Sequence, residues 1–227
     1  MKTVAALLIK QCKDSFRNLP SLMILIIYPV VAFIMITAMN GEDNMGNIFI
    51  PMFAAMHCSF APLVISSNIL SEEKEKGTLR SLVMAGVSRV KYLLSLFLFV
   101  LVAVMMTGST FLLMKPVTSS YVGNFAAAML LGSSVSAVVG LCIGLCSGNV
   151  TAANGIAVPV GLVFALLPML GQFNESLSKA AEFTYSGQLR TVFEGADYTT
   201  QTWLIPAVYL VALCGMLAFL FKRKGLE

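Results

Sequence analysis

The chain has 227 residues, of which 58% are hydrophobic and only 11% charged, and its mean hydropathy is +0.86. A soluble domain carries about 25% charged residues, so this composition excludes an ordinary water-soluble globule and specifies an integral membrane protein. The net charge of +4 is no sign of a nucleic-acid partner, because the basic residues flank apolar runs.

Residues 1–19 do not read as a cleaved signal peptide, since Lys10 breaks the apolar run and no small-residue cleavage site follows. Lys10, Lys13, Asp14 and Arg17 fall on one helical face and Leu8, Cys12 and Phe16 on another. This predicts a helix lying in the membrane interface, apolar side down, before Pro20 turns the chain into the bilayer.

The first predicted span is 20–39, about the 20 residues that cover the hydrocarbon core. A polar turn over 40–47, with Gly41, Glu42, Asp43 and Gly46, leads to a second span over 48–70 that contains Pro51 and Pro62. Prolines are tolerated within membrane helices but tend to kink them. His57, the only histidine, falls about ten residues into this span.

The segment 71–91 is the only long polar stretch between two strongly apolar runs. It holds eight charges: Glu72, Glu73, Lys74, Glu75, Lys76, Arg80, Arg89 and Lys91. Gly77 is expected to interrupt the entering helix, because glycine costs about 1 kcal/mol relative to alanine inside one. Thr78 is expected to cap a fresh helix through its hydroxyl, and Gly86 to stop it in a left-handed conformation. Leu79, Leu82 and Val83 share one face of that helix, which makes an apolar knob inside a ring of charge, with no core of its own to fill.

A third span over 93–114 ends at Lys115-Pro116. The fourth, 124–146, carries Gly132, Ser136, Gly140 and Gly144 at intervals of four, continued by Gly148. This small-residue ridge permits close helix approach, either within one chain or between two. After a turn over 147–154, a fifth span runs over 155–173 and contains Pro159 and Pro168. The segment 174–202 is too polar to cross and too apolar for a free loop, and reads as re-entrant or interfacial. Within it, Ser186 is expected to cap a short helix that Gly195 ends. The sixth span is 203–221, with Trp203 suited to the outer interface and Lys222, Arg223 and Lys224 closing it.

Six spans put both termini on the side of segment 71–91. Twelve of the fifteen Lys and Arg residues lie on that side, against Lys115, Lys179 and Arg190 opposite. The positive-inside rule makes the richer side cytosolic.

The sequence contains no G-x-x-x-x-G-K-[ST], so it has no phosphate-binding loop of the usual kind. A single histidine excludes His-pair metal sites, and Cys12, Cys58, Cys142, Cys146 and Cys214 form no metal spacing and imply no disulfide framework. The predicted spans hold no Asp or Glu from which to assemble a catalytic set. No enzyme is expected in this chain. The classes left are an ATP-driven permease, a secondary transporter using His57, and a membrane scaffold without an ATPase.

EEKEKGTLRSL over 72–82, followed by a long apolar helix, resembles the coupling-helix region of permease subunits in the type 2 ABC exporter family. FTYSGQLRTVFEG over 183–195 is similar to the small outer helices that the family places before its last span. The resemblance implies one all-α transmembrane permease domain over 1–227. It has six spans, an N-terminal interfacial helix, a cytosolic coupling helix and short outer helices. It also implies a multi-pass protein of a bacterial cytoplasmic membrane that works with cytosolic ABC ATPase subunits, a second permease chain and lipid. ATP and Mg would be held by the ATPase. Glu72, Glu73, Glu75, Gly77, Thr78, Leu79, Arg80, Leu82 and Val83 would then contact the ATPase. The expected cargo is an amphipathic or apolar compound, such as a drug, an antimicrobial peptide or a lipid, because the spans offer methionine and small polar groups instead of charges. Met52, Met56, His57 and Ser59 are the candidates for its path.

Overall fold

A computed structural model describes residues 2–39, 46–114, 118–171, 173–195 and 199–224. These form α1 (Lys2–Arg17), α2 (Leu19–Met39), α3 (Gly46–Glu75), α4 (Thr78–Met84), α5 (Arg89–Gly108), α6 (Ser119–Cys146), α7 (Val150–Leu170), α8 (Glu175–Glu182), α9 (Tyr185–Glu194) and α10 (Thr200–Lys224). A 3-10 turn, Ser109–Leu113, continues α5, and no strand occurs among the described residues. Six of the helices, α2, α3, α5, α6, α7 and α10, are long and apolar enough to cross a membrane. The protein is an all-α integral membrane protein. A helix suits that solvent because it satisfies every backbone polar group within its own segment.

The spans share the interior unequally. In α3 and α6, 78% and 72% of the most apolar stretch is buried inside the chain, against 6% in α10. The first two are therefore the core and the last is rim. Their contact depends on the small-residue ridge. A Cβ on Gly140 would lie 2.1 Å from the Leu63 carbonyl oxygen, and one on Gly144 would lie 3.0 Å from that of Ser67. Ser66 Oγ then crosses to the Ala137 carbonyl at 3.0 Å. The ridge is used within one chain. It ends at Gly144, because Gly148 faces open space.

Several boundaries differ from the sequence reading for identifiable local reasons. Helix α6 starts at Ser119 because Thr118 Oγ1 accepts from the Tyr121 N–H at 3.4 Å. Helix α7 starts at Val150, well before 155, because Asn149 Oδ1 accepts from the Ala152 N–H at 2.7 Å. It also stops at Leu170, short of 173. Helix α3 runs past 70 to Glu75, carrying its charged residues to partners on other helices. Pro51 and Pro62 both stay inside it. The expected turn over 40–47 and the Lys115-Pro116 stop lie largely outside the described residues.

Helix α9 is packed inside the bundle. Tyr185, Ser186, Leu189, Val192 and Phe193 are buried, and the Tyr185 and Ser136 hydroxyls lie 2.7 Å apart. Its cap is Thr184, whose Oγ1 accepts from the Gly187 N–H at 3.2 Å, and Ser186 is a buried residue at the second helical position. Gly195 ends it with φ 75, as expected.

Candidate functional site

Glycine sets the geometry of segment 71–91. Gly77 has φ 68 and Gly86 φ 85, in the left-handed region that residues with a Cβ rarely adopt, so α4 is set off from α3 and α5 by two sharp turns. Thr78 does not cap α4. It is the helix's first residue, and its hydroxyl donates back to the Glu73 carbonyl at 3.2 Å, while Gly77 takes the cap position.

The apolar knob is divided between two faces. Leu79 is 1% exposed and belongs to the main core of the chain, with Leu82 packed against it. The expectation that Leu79 stands free for a partner is therefore corrected: the helix uses it to anchor itself. Leu82 and Val83 are half-buried. What α4 leaves outward is Thr78, Arg80, Ser81 and above all Met84, which is 79% exposed.

The acidic residues are also bonded within the chain, Glu73 buried, Glu72 half-buried and Glu75 exposed. Glu72 accepts from Asn18 Nδ2 at 3.2 Å and pairs with Lys76. Glu73, buried, pairs with Lys10 of α1. Glu75 Oε2 accepts from the Val150 N–H at 3.0 Å, where α7 begins. Between them, Lys74 Nζ donates to the carbonyls of Leu145 at 2.9 Å and Ser147 at 2.8 Å, where α6 ends. Four consecutive residues thus reach four other parts of the chain, so Glu72, Glu73 and Glu75 are not the free rim that the sequence predicts. Burial opposes the charge on Lys10, but hydrogen bonds and attraction from Glu73 and Asp14 outweigh it and raise its pKa above 10.5. Its contribution is complete below 10.5 and is lost only as pH climbs through the raised value.

Helix α1 presents Leu7, Gln11 and Ser15 to the body of the chain. Cys12 and Ile9 look outward, with Leu8 between. The side chain of Phe16 lies outside the described residues.

Of the four path candidates, Met52, Met56 and Ser59 stand at i, i+4 and i+7 and share one side of α3, while His57 turns away from them. His57 is fully buried, with Nε2 3.0 Å from Thr107 Oγ1, and Tyr28 and Phe111 flank its ring at 6.1 and 5.9 Å. Thr107 donates its own proton to the Ala103 carbonyl at 3.0 Å, which assigns the imidazole hydrogen to Nε2. Ser59, two residues on, lies about 200° around the helix and donates to the Ala55 carbonyl at 2.7 Å. Met52 is buried and Met56 half-buried. Two cavities lie away from these residues. One of about 750 Å³ sits between α1 and the charged end of α3, and one of about 220 Å³ sits beside α8 and α9.

Sequence reasoning missed Lys74, Met84 and Lys10. Met84, two residues before the Gly86 stop and off the Leu79 face, was legible as an outward apolar residue. The partners of Lys74 lie about seventy positions away, and no local signal pointed to them.

A family model described as ABC-2 family transporter protein matches residues 2–221, nearly the whole chain. No curated protein matches it.

Proposed function

The chain belongs to the ABC-2 transporter family and is its membrane-spanning permease subunit; on that premise we propose that it couples ATP hydrolysis in a separate cytosolic ATPase to export of an amphipathic or apolar compound. The observation that carries this reading is the build of α4. A seven-residue helix is held between two left-handed glycines and anchored by Leu79, and it turns Met84 outward on the side rich in Lys and Arg. An exposed methionine beside Arg80 and Ser81 suits a groove on a partner, because its flexible thioether fills irregular apolar shapes. Binding and hydrolysis of ATP, with its Mg, in the ATPase would displace α4, and the buried Leu79 would pass that motion to α3 and the core of the chain. One chain offers one such helix, so two permease chains serve a pair of ATPases in a lipid bilayer.

The setting of His57 favours the ATP-driven reading over an ion-driven one. It is fully buried among Tyr28, Thr107 and Phe111, and its Nε2 is hydrogen-bonded to Thr107.

Two measurements test the proposal. An impermeant reagent added outside intact cells is expected to label a cysteine placed at Ser119 and to leave one at Ser81 untouched, both positions being exposed on the chain. Labelling of Ser81 from outside would reverse the orientation. In proteoliposomes, ATP hydrolysis is expected to rise with amphipathic compounds. A response confined to small hydrophilic ions or sugars would overturn the cargo assignment.

A further inference from the structure

The last two residues of α3 are set against the ends of two different helices. The Lys74 ammonium sits on the closing carbonyls of α6, at 2.9 Å from Leu145 O and 2.8 Å from Ser147 O, and the Glu75 carboxylate sits on the first N–H of α7, at 3.0 Å. A helix end leaves carbonyls without partners and carries partial negative charge, while a helix start leaves N–H groups and partial positive charge. A cation on the first and an anion on the second is the sign pattern that fits both, and exchanging them would set like against like.

Neither residue is needed to make the helices it touches. Asn149 Oδ1 already caps α7 through the Ala152 N–H at 2.7 Å, and the Ser147 N–H already closes α6 on the Ile143 carbonyl at 2.9 Å. The bonds from α3 therefore supply attachment. Packing adds nothing at the outermost point, since a Cβ on Gly148 would meet no atom within 4 Å. Two residues beyond Glu75, Gly77 turns the chain into α4.

We propose that Lys74 and Glu75 are positioning residues that make the tip of the α6–α7 hairpin move with the end of α3 when α4 is displaced. This rests on α4 being the ATPase dock. It gives the stroke a route to the core helix α6 that does not pass through the lipid-facing rim. The coupling is carried by charge held against two helix ends, so the sign at position 74 matters more than the size of its side chain.

The test uses the full chain reconstituted with its ATPase, with an environment-sensitive fluorescent amino acid at Ser81 or at Gly148, both exposed. In the wild type, ATP is expected to change the signal at both positions. In Lys74→Met, which keeps the apolar stem and removes the charge, the Ser81 response is expected to persist. The Gly148 response is expected to fall by about two- to thirty-fold, the range over which residues along a coupling route act. Lys74→Arg is expected to restore it. The proposal is overturned if Gly148 responds normally in Lys74→Met, if both responses fall together, or if Arg fails to rescue. A wild-type chain that binds no ATPase removes the premise and the relay with it.

Discussion

Replacing Gly140 by alanine is expected to leave little folded chain in the membrane, whereas the same change at Gly148 is expected to be nearly silent. The added Cβ at 140 would sit 2.1 Å from the Leu63 carbonyl oxygen and 2.9 Å from its carbon, and 2.1 Å from Ser66 Oγ. Two of those atoms are main chain of the other core helix, so no rotamer change relieves the clash. Overpacking of this kind costs about 1–3 kcal/mol and more where backbone must move. Separating the helices would also stretch the Ser66 to Ala137 hydrogen bond, now 3.0 Å. Against a total stability of about 5–15 kcal/mol that is a large fraction. Thermal unfolding of the purified variants in detergent checks it, and equal midpoints for the two alanine variants would contradict the packing described.

The second large effect separates two residues of one short helix. Leu79→Ala is expected to cost about 2–5 kcal/mol of stability, because a buried leucine leaves both lost transfer energy and a cavity. Met84→Asp is expected to change stability by about 0.5 kcal/mol or less, as surface substitutions do. The figures of 1% and 79% exposure decide this contrast. From sequence, Leu79 was the partner-facing residue; in the fold it is an anchor, and the outward apolar surface belongs to Met84. Unfolding midpoints for the two variants rank the residues directly.

Much of the architecture was legible because the signals were local. Hydropathy and length gave six spans, since crossing a membrane demands a long apolar helix. Gly86 and Gly195 announced the helix ends they make, and Gly77 the break before α4 though not its left-handed conformation. The ridge from Gly132 to Gly144 announced a close helix contact, though not which neighbour fills it. What escaped was long-range. Glu72, Glu73 and Glu75 resemble a solvated rim until Asn18, Lys10 and the start of α7 are brought beside them. Met52, Met56 and Ser59 recur at i, i+4 and i+7 on α3 and share one side, yet the 3.6-residue turn sends His57 away from Ser59, so sequence proximity alone did not place His57 with the other three. Caps were misplaced by one position at Thr78, where Gly77 takes the cap with no side-chain bond, and by two at Ser186, where Thr184 Oγ1 accepts from the Gly187 N–H.

The outward face of α4 is proposed to receive an ATPase. Co-purification from membranes, with the mass of the intact complex measured, tests it most directly. The wild-type chain is expected to carry ATPase subunits in equal number to two permease chains. Met84→Asp is expected to remain folded and dimeric and to lose them, because burying a side chain of this size contributes about 1.5–3 kcal/mol that a charge would forfeit. A folded Met84→Asp chain that still retains its ATPase would contradict the account.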